Sequence, residues 1–190
     1  MIRNFVISLR NTALLWILTA LIYPAIVLVI GQLVFPYQAN GSLITNSQGQ
    51  VVGSALIGQT FTEEGYFWSR PSAINYSEGA NASPTGISGA SNLAPSNPDL
   101  LSRIEAEVQH LEDNAVQPTA DLLYSSGSGL DPHISLAAAQ AQFDRVAKAR
   151  SISPQELQSL IAKHTEERFL GIFGEPGVNV LTLNLALDNR

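Results

Sequence analysis

Three histidines, His110, His133 and His164, are the only imidazoles in the chain, and their spacing is too wide for a local metal-ligand motif. Asp131, Pro132 and His133 form the one adjacent grouping suited to proton chemistry, since a carboxylate two residues from an imidazole can orient the ring for general base work. The same tripeptide also starts turns, and a histidine flanking a helix serves equally as a backbone anchor. His164 falls on an apolar stripe, where a packed histidine belongs. The glycines around Ser128 could form an anion-binding nest or simply connect two elements. There is no Gly-Lys dipeptide and so no P-loop, no G-x-S-x-G elbow and no D-K-T-G sequence. Cysteine is absent, which removes disulfides, thiolate metal sites and a cysteine nucleophile. These residues lead us to expect no catalytic centre, metal or cofactor belonging to the chain itself. Asn40, Asn75 and Asn81 open N-x-S sequons, matches that an Asn/Ser-rich sequence produces by chance.

The elements that must position these residues divide by charge. Net charge is −6 over 190 residues, a balance that repels a phosphate backbone and argues against nucleic-acid binding. Arg3 and Arg10 are the only charged residues before Glu63. Between Ala13 and Phe35 run 23 uncharged residues, which as a helix extend about 34 Å and can cross a hydrocarbon core of about 30 Å. The rival reading is a cleaved signal peptide, but such h-regions are shorter, and a cut after Ala39 would place bulky Tyr37 where a small residue is needed. With Arg3 and Arg10 before the span and no Lys or Arg after it until Arg70, the positive-inside rule puts residues 1–12 in the cytoplasm and 38–190 outside it. Within the span, Pro24 should bend the helix, and Ala13, Ala20, Pro24 and Gly31 fall along one line of an α-helix. Such a seam of small residues lets a partner helix approach closely, or arises by chance where Ala and Gly are common. Trp16 and Tyr37 suit the membrane interfaces.

Beyond the span, Gln50 to Gly58 reads as a strand and Tyr66 to Trp68 as a second. Of the 24 residues from Asn75 to Pro98, 19 are Ser, Asn, Gly, Pro or Ala, too few large apolar side chains for a core element, so a long loop and candidate contact surface is expected. Asn97 with Pro98 should start a helix carrying Leu100, Ile104, Val108 and Leu111 on one face. A second helix is expected from Leu136 to Arg150, with Leu136, Ala139, Phe143 and Val146 as its stripe. Ser153, Pro154 and Glu156 signal a third, with Leu157, Leu160 and Ile161 inward and Gly171 as its stop. From Val178 to Leu187, alternation of Leu181, Leu183, Leu185 and Leu187 predicts a strand. The class is α+β: one N-terminal transmembrane helix and one extracytoplasmic α+β domain.

Several longer segments carry a family resemblance. GSALIGQTF from Gly53, YFWSRPSAINY from Tyr66, SGASNLAPSNP from Ser88, SGSGLDPHIS from Ser126, RVAKAR from Arg145 and GEPGVNVLTLNLALD from Gly174 follow one another as in the KdpC family. That family comprises C subunits of the bacterial high-affinity, ATP-driven potassium uptake system. Ala90 and Ala94 depart from the glycines expected in the loop. The resemblance implies an accessory subunit of a P-type potassium pump in the inner membrane. Its implied partners are a channel-like A subunit, an ATP-hydrolysing B subunit and a small F peptide. It also implies a role in assembly and as a catalytic chaperone that raises the ATP affinity of the B subunit, with Gln59 proposed to contact nucleotide. Gln59 follows the span by some 24 residues on the outer side, whereas ATP is cytoplasmic, so either the influence is linkage through subunit packing or the orientation is inverted. Candidate partner contacts are Ala13, Ala20, Pro24 and Gly31 in the span, and Arg70, Asn92, Asp131 and His133 beyond it. The alternatives are an anchored extracytoplasmic binding or interaction module without a pump partner, and an anchored hydrolase built on His133.

Overall fold

A run of apolar residues with good helix formers begins at Ile2, and α1 (Ile2–Ile17), a π-helical segment (Leu18–Ile22) and α2 (Tyr23–Val34) continue one another without a break. The structure is a computed structural model describing residues 1–46, 48–74, 76 and 87–189. The 33 residues from Ile2 to Val34 form a helix long and apolar enough to cross a membrane. Tyr23 N–H donates to the Leu18 carbonyl five residues back, immediately before Pro24, which has no N–H to donate. The π turn advances less rotation per residue than an α turn. Pro24 and Gly31, seven apart in α2, therefore share a face, while Ala13 and Ala20 are offset from them; the single line computed for an uninterrupted α-helix does not run the whole length. A short α3 (Pro36–Ala39) follows, then β1 (Leu43–Thr45) and β2 (Val51–Ser54), which make a two-stranded sheet. The chain divides into two compact units, Met1–Val52 and Gly53–Arg190.

In the second unit helices outweigh strands: α4 (Pro98–Asp113), α5 (Ala120–Leu123), α6 (Leu136–Ala141), α7 (Phe143–Arg150), α8 (Pro154–Lys163) and α9 (Val180–Asp188). A small sheet of β3 (His133–Ile134), β4 (Thr165–Glu166) and β5 (Gly177–Asn179) has the order β3-β5-β4, with both pairings antiparallel. Phe67, Leu111, Leu122, Ile134, Leu157, Val178 and Leu183 are almost fully enclosed at its centre. Locally encoded starts hold: the Asn97 side chain accepts from Asp99 N at 2.8 Å, and Ser153 Oγ accepts from Glu156 N at 3.3 Å.

Other expectations are corrected. The strand expected over Gln50–Gly58 is only Val51–Ser54, after which the chain turns. The helix expected over Leu136–Arg150 is interrupted at Gln142, whose side chain is engaged elsewhere. The helix from Pro154 ends at Lys163 rather than at Gly171, because residues 165–166 leave it to pair with β5. The strand expected over Val178–Leu187 is the last two residues of β5 followed by α9. Asn179 caps the new helix by accepting from Thr182 N at 3.1 Å, and the buried set Val180, Leu181, Leu183, Asn184 and Leu187 follows helical spacing.

Tyr66–Trp68 is not a strand, although its backbone is satisfied as fully as one. Asn184 receives the Phe67 N–H at 2.8 Å and donates to the Phe67 carbonyl at 2.9 Å. Gln142 does the same for Trp68, at 2.7 and 3.2 Å. Two side-chain amides from α9 and from the junction of α6 and α7 take the place of a neighbouring strand, and both are buried.

Candidate functional site

The segments singled out by sequence converge. Ser126 N–H donates to the Pro71 carbonyl at 2.9 Å, Gly89 N–H to Ser128 at 2.8 Å and Gly58 N–H to Leu130 at 2.9 Å. Ser72 Oγ adds a bond to the Gly129 carbonyl at 2.9 Å, and Tyr76 hydroxyl one to the Arg70 carbonyl. Residues 58–74, 76, 87–89 and 126–131 are thus stitched into one layer. The 77–86 stretch of the long loop, with Asn81, lies outside the described residues, as does Asn75.

On this layer, Arg70 Nη1 donates to Asp131 Oδ2 at 3.0 Å, and Asp131 Oδ1 accepts the His133 backbone N–H at 3.0 Å. The His133 ring sits between two carboxylates, Nδ1 3.6 Å from Asp131 Oδ1 and Nε2 3.3 Å from Glu166 Oε2. The sheet register explains the second contact. His133 pairs with Asn179 and Glu166 with Gly177, so the two side chains lie diagonally across β5. A Cβ at Gly177 would stand 3.2 Å from the His133 Cβ, so the bare glycine leaves room for the ring to cross. Arg70, Asp131, His133 and Glu166 line a cleft of about 510 Å³ together with Asp121, Phe169 and Phe173.

The hydrogen bond to Asp131 raises His133 above the ordinary imidazole range against an opposing effect of burial, with Glu166 adding to the rise. Burial pushes Asp131 upward, but its bonds to His133 and the Arg70 charge prevail and hold the carboxyl below its usual range. His164, by contrast, is lowered by burial and by Lys163, and its Nδ1 lies 3.1 Å from Thr182 Oγ1. The signs differ accordingly. A raised His133 contributes stability that is full below the ordinary pKa of 6.5 and fades as pH rises through its folded value, whereas His164 favours the fold above 6.5 and loses that as pH falls. We expect His133→Gln to destabilise more at pH 6 than at pH 8, and the effect of His164→Gln to change with pH in the opposite sense. Urea midpoints of the three proteins at both pH values check this; parallel pH profiles would remove the ion-pair account.

Because both ring nitrogens of His133 face carboxylates, the cluster works as a charge ladder joining Arg70 to β3 and β4. The one hydroxyl nearby in sequence, Ser135 Oγ, caps α6 by accepting from Ala138 N at 3.0 Å. His110 stacks on Trp68 at a centroid distance of 4.8 Å. Among the described residues no group of three or more acids and histidines is placed to hold a metal ion. Asn92 adopts φ 52° and donates to the Ala90 carbonyl at 3.2 Å; Ala90 and Ala94 have no positive φ, so this loop accommodates alanine without strain. The Gln59 carbonyl accepts from Ser69 Oγ at 2.7 Å, and its side chain is half-buried against Gly53: a Cβ there would lie 2.7 Å from Gln59 Nε2.

Sequence reasoning passed over the two arginines of RVAKAR. Arg145 donates to the carbonyls of Glu64 at 2.6 Å and Tyr66 at 3.0 Å and stacks its guanidinium 3.7 Å from the Trp68 ring centre; burial pushes its pKa down to about 10. Arg150 donates to the Gly65 carbonyl at 2.8 Å and pairs with Asp188 at 2.8 Å. Most of their acceptors are distant backbone groups, which leave no trace in local sequence; the five-residue spacing of the two arginines on α7 was the available signal.

Comparison with known proteins adds an independent line. The family model for KdpC, described as K+-transporting ATPase, c chain, matches residues 5–189. The chain is similar to the potassium-transporting ATPase KdpC subunit of Synechocystis sp., with 95% identity over 190 residues covering 100% of both chains. It is 60% identical over 187 residues to KdpC subunit 2 of Nostoc sp., covering 98% of this chain and 94% of the relative. Against the KdpC subunit of Geobacter sulfurreducens, identity is 53% over 169 residues, 88% of this chain and 87% of the relative.

Proposed function

Because this chain belongs to the KdpC family, c chains of the K+-transporting ATPase, we propose that it is the pump's membrane-anchored accessory subunit, acting by fixing the geometry of its partners. Near-identity over the full length to a protein named as that subunit carries the reading. In it, residues 13–35 span the bacterial inner membrane, residues 1–12 face the cytoplasm and 38–190 form the extracytoplasmic domain. Arg3 and Arg10 ahead of the uncharged 13–35 stretch, with no further Lys or Arg until Arg70, support that orientation. The partners are a channel-like A subunit, an ATP-hydrolysing B subunit and the small F peptide.

A chaperone effect on ATP affinity then operates by linkage: a subunit that packs better against the nucleotide-bound pump raises nucleotide affinity without touching it. The half-buried position of Gln59, packed beside Gly53, favours this over direct contact by that side chain. With the pump subunits co-expressed, the tagged chain should bring down large polytopic proteins after mild solubilisation. A periplasmic reporter fused after residue 190 should be active and a cytoplasmic one silent. The reverse reporter pattern would invert the orientation and revive nucleotide contact.

A further inference from the structure

Between β4 and β5 the chain makes a tight hairpin that shows its apolar side chains to solvent. Phe169 and Phe173 pair through two backbone bonds, Phe169 N to Phe173 O at 2.8 Å and Phe173 N to Phe169 O at 3.0 Å. Arg168 and Glu175 close the base with a 2.7 Å ion pair. Phe169, Leu170, Ile172 and Phe173 are each between 61% and 74% exposed, four large apolar side chains within five residues. Scattered apolar residues on a surface need no explanation, but a contiguous knob does.

The backbone adds a second oddity. Leu170 and Gly171 lie at φ 54° and 72°, a geometry that such turns assign to Asn or Gly because a Cβ crowds the following carbonyl. An exposed leucine there is unfavourable to the isolated fold on two counts, hydration and backbone strain. Residues that cost the fold and are held by surrounding structure point to a use outside it.

We infer that the 169–173 hairpin is a preformed anchor that inserts into an apolar, basic-rimmed pocket on another protein subunit of the potassium ATPase. The charge around it decides between protein and lipid. The cleft beside the knob is lined by Asp121, Asp131, Glu166, Glu167 and Glu175 against Arg70 and His133, with Arg168 paired to Glu175. That surplus of acids is repelled by an anionic membrane surface and complements basic groups around a protein pocket. Because the hairpin is already ordered, little conformational freedom is lost on docking.

The inference rests on the chain being a pump subunit, and the test separates the two. The full-length chain is co-expressed with the other subunits as wild type, as Leu170→Asn/Ile172→Ser, and as Leu170→Asn alone. Asparagine suits the positive φ, so both variants should keep or raise the thermal midpoint. Truncating anchors of this kind costs roughly tenfold or more in affinity, so recovery of partner subunits with the double variant should fall accordingly and with the single variant in part. Undiminished recovery with a folded double variant overturns the hairpin's role. Crosslinks from a photoreactive residue placed at Ile172 that go to lipid rather than to a partner subunit also overturn it, in favour of lipid. A wild-type chain that brings down no partner overturns the subunit reading together with this one.

Discussion

Gln142→Leu is expected to destabilise the Gly53–Arg190 unit severely, and the double variant Gln142→Leu/Asn184→Leu to be unfolded at ambient temperature. Each amide serves both the N–H and the carbonyl of one backbone residue, Gln142 for Trp68 and Asn184 for Phe67. Phe67 is fully buried and Trp68 nearly so, so water cannot readily replace a lost partner. An orphaned buried backbone group costs about 1 to 3 kcal/mol, so each substitution removes about 2 to 6 kcal/mol, against a typical stability of about 5 to 15 kcal/mol. Gln142 should be the worse loss, because Arg145 Nη2 also donates to its Oε1 at 2.7 Å. Denaturant titration followed by fluorescence of the enclosed Trp68 measures this. A loss below about 1 kcal/mol for either single variant would mean that the segment is held by packing alone.

The second large effect belongs to two glycines two residues apart. Gly129 sits at φ 68°, and a Cβ there would stand 2.5 Å from the Gly89 carbonyl oxygen and 2.5 Å from Ile74 Cγ1. Neither can withdraw easily, since Gly89 is itself bonded to Ser128 and the Gly129 carbonyl receives Ser72. Gly127 has no heavy atom within 4 Å of the same virtual position and no positive φ. Gly129→Val combines left-handed strain of about 1 to 2 kcal/mol with overpacking of about 1 to 3 kcal/mol, so a loss of roughly 2 to 5 kcal/mol is expected. Gly127→Ala should stay within about 0.5 kcal/mol of wild type. Denaturation midpoints of the two variants compare them directly, and equal losses would show the layer to be more plastic than its contacts imply.

What could be read from the chain alone follows the range over which each signal acts. The helices beginning at Pro98 and Pro154 were legible because Asn97 and Ser153 cap them from the adjacent residue. The apolar run from Val178 was misjudged because Leu at 181, 183, 185 and 187 satisfies a period of two. The cap at Asn179 and a helical burial pattern decide for a helix, and β3 and β4, each two residues long, offer no partner for a longer strand. Tyr66–Trp68 was misjudged for a different reason: its backbone partners are side chains from Gln142, Arg145 and Asn184. In the charge ladder, Asp131 and His133 announced themselves by adjacency. Glu166 could not, because it meets His133 only through the register of a three-stranded sheet, across a glycine whose contribution is the absence of a side chain.

The side-chain amides that hold residues 67 and 68 also set a clock. Phe67 waits for Asn184 and Tyr66 for Asp188, separations of 117 and 122 residues. At about 5 to 20 residues per second, ribosomal synthesis leaves this segment without its partners for roughly 6 to 24 s. Folding of the unit therefore cannot finish until α9 has emerged. A product that stops before Asp188 lacks the partner of the Tyr66 hydroxyl, and one that stops before Asn184 lacks that of the Phe67 backbone as well. Either leaves aromatic surface around Tyr66, Phe67 and Trp68 less well covered, a form that cellular proteases can recognise before an incomplete subunit reaches a partner.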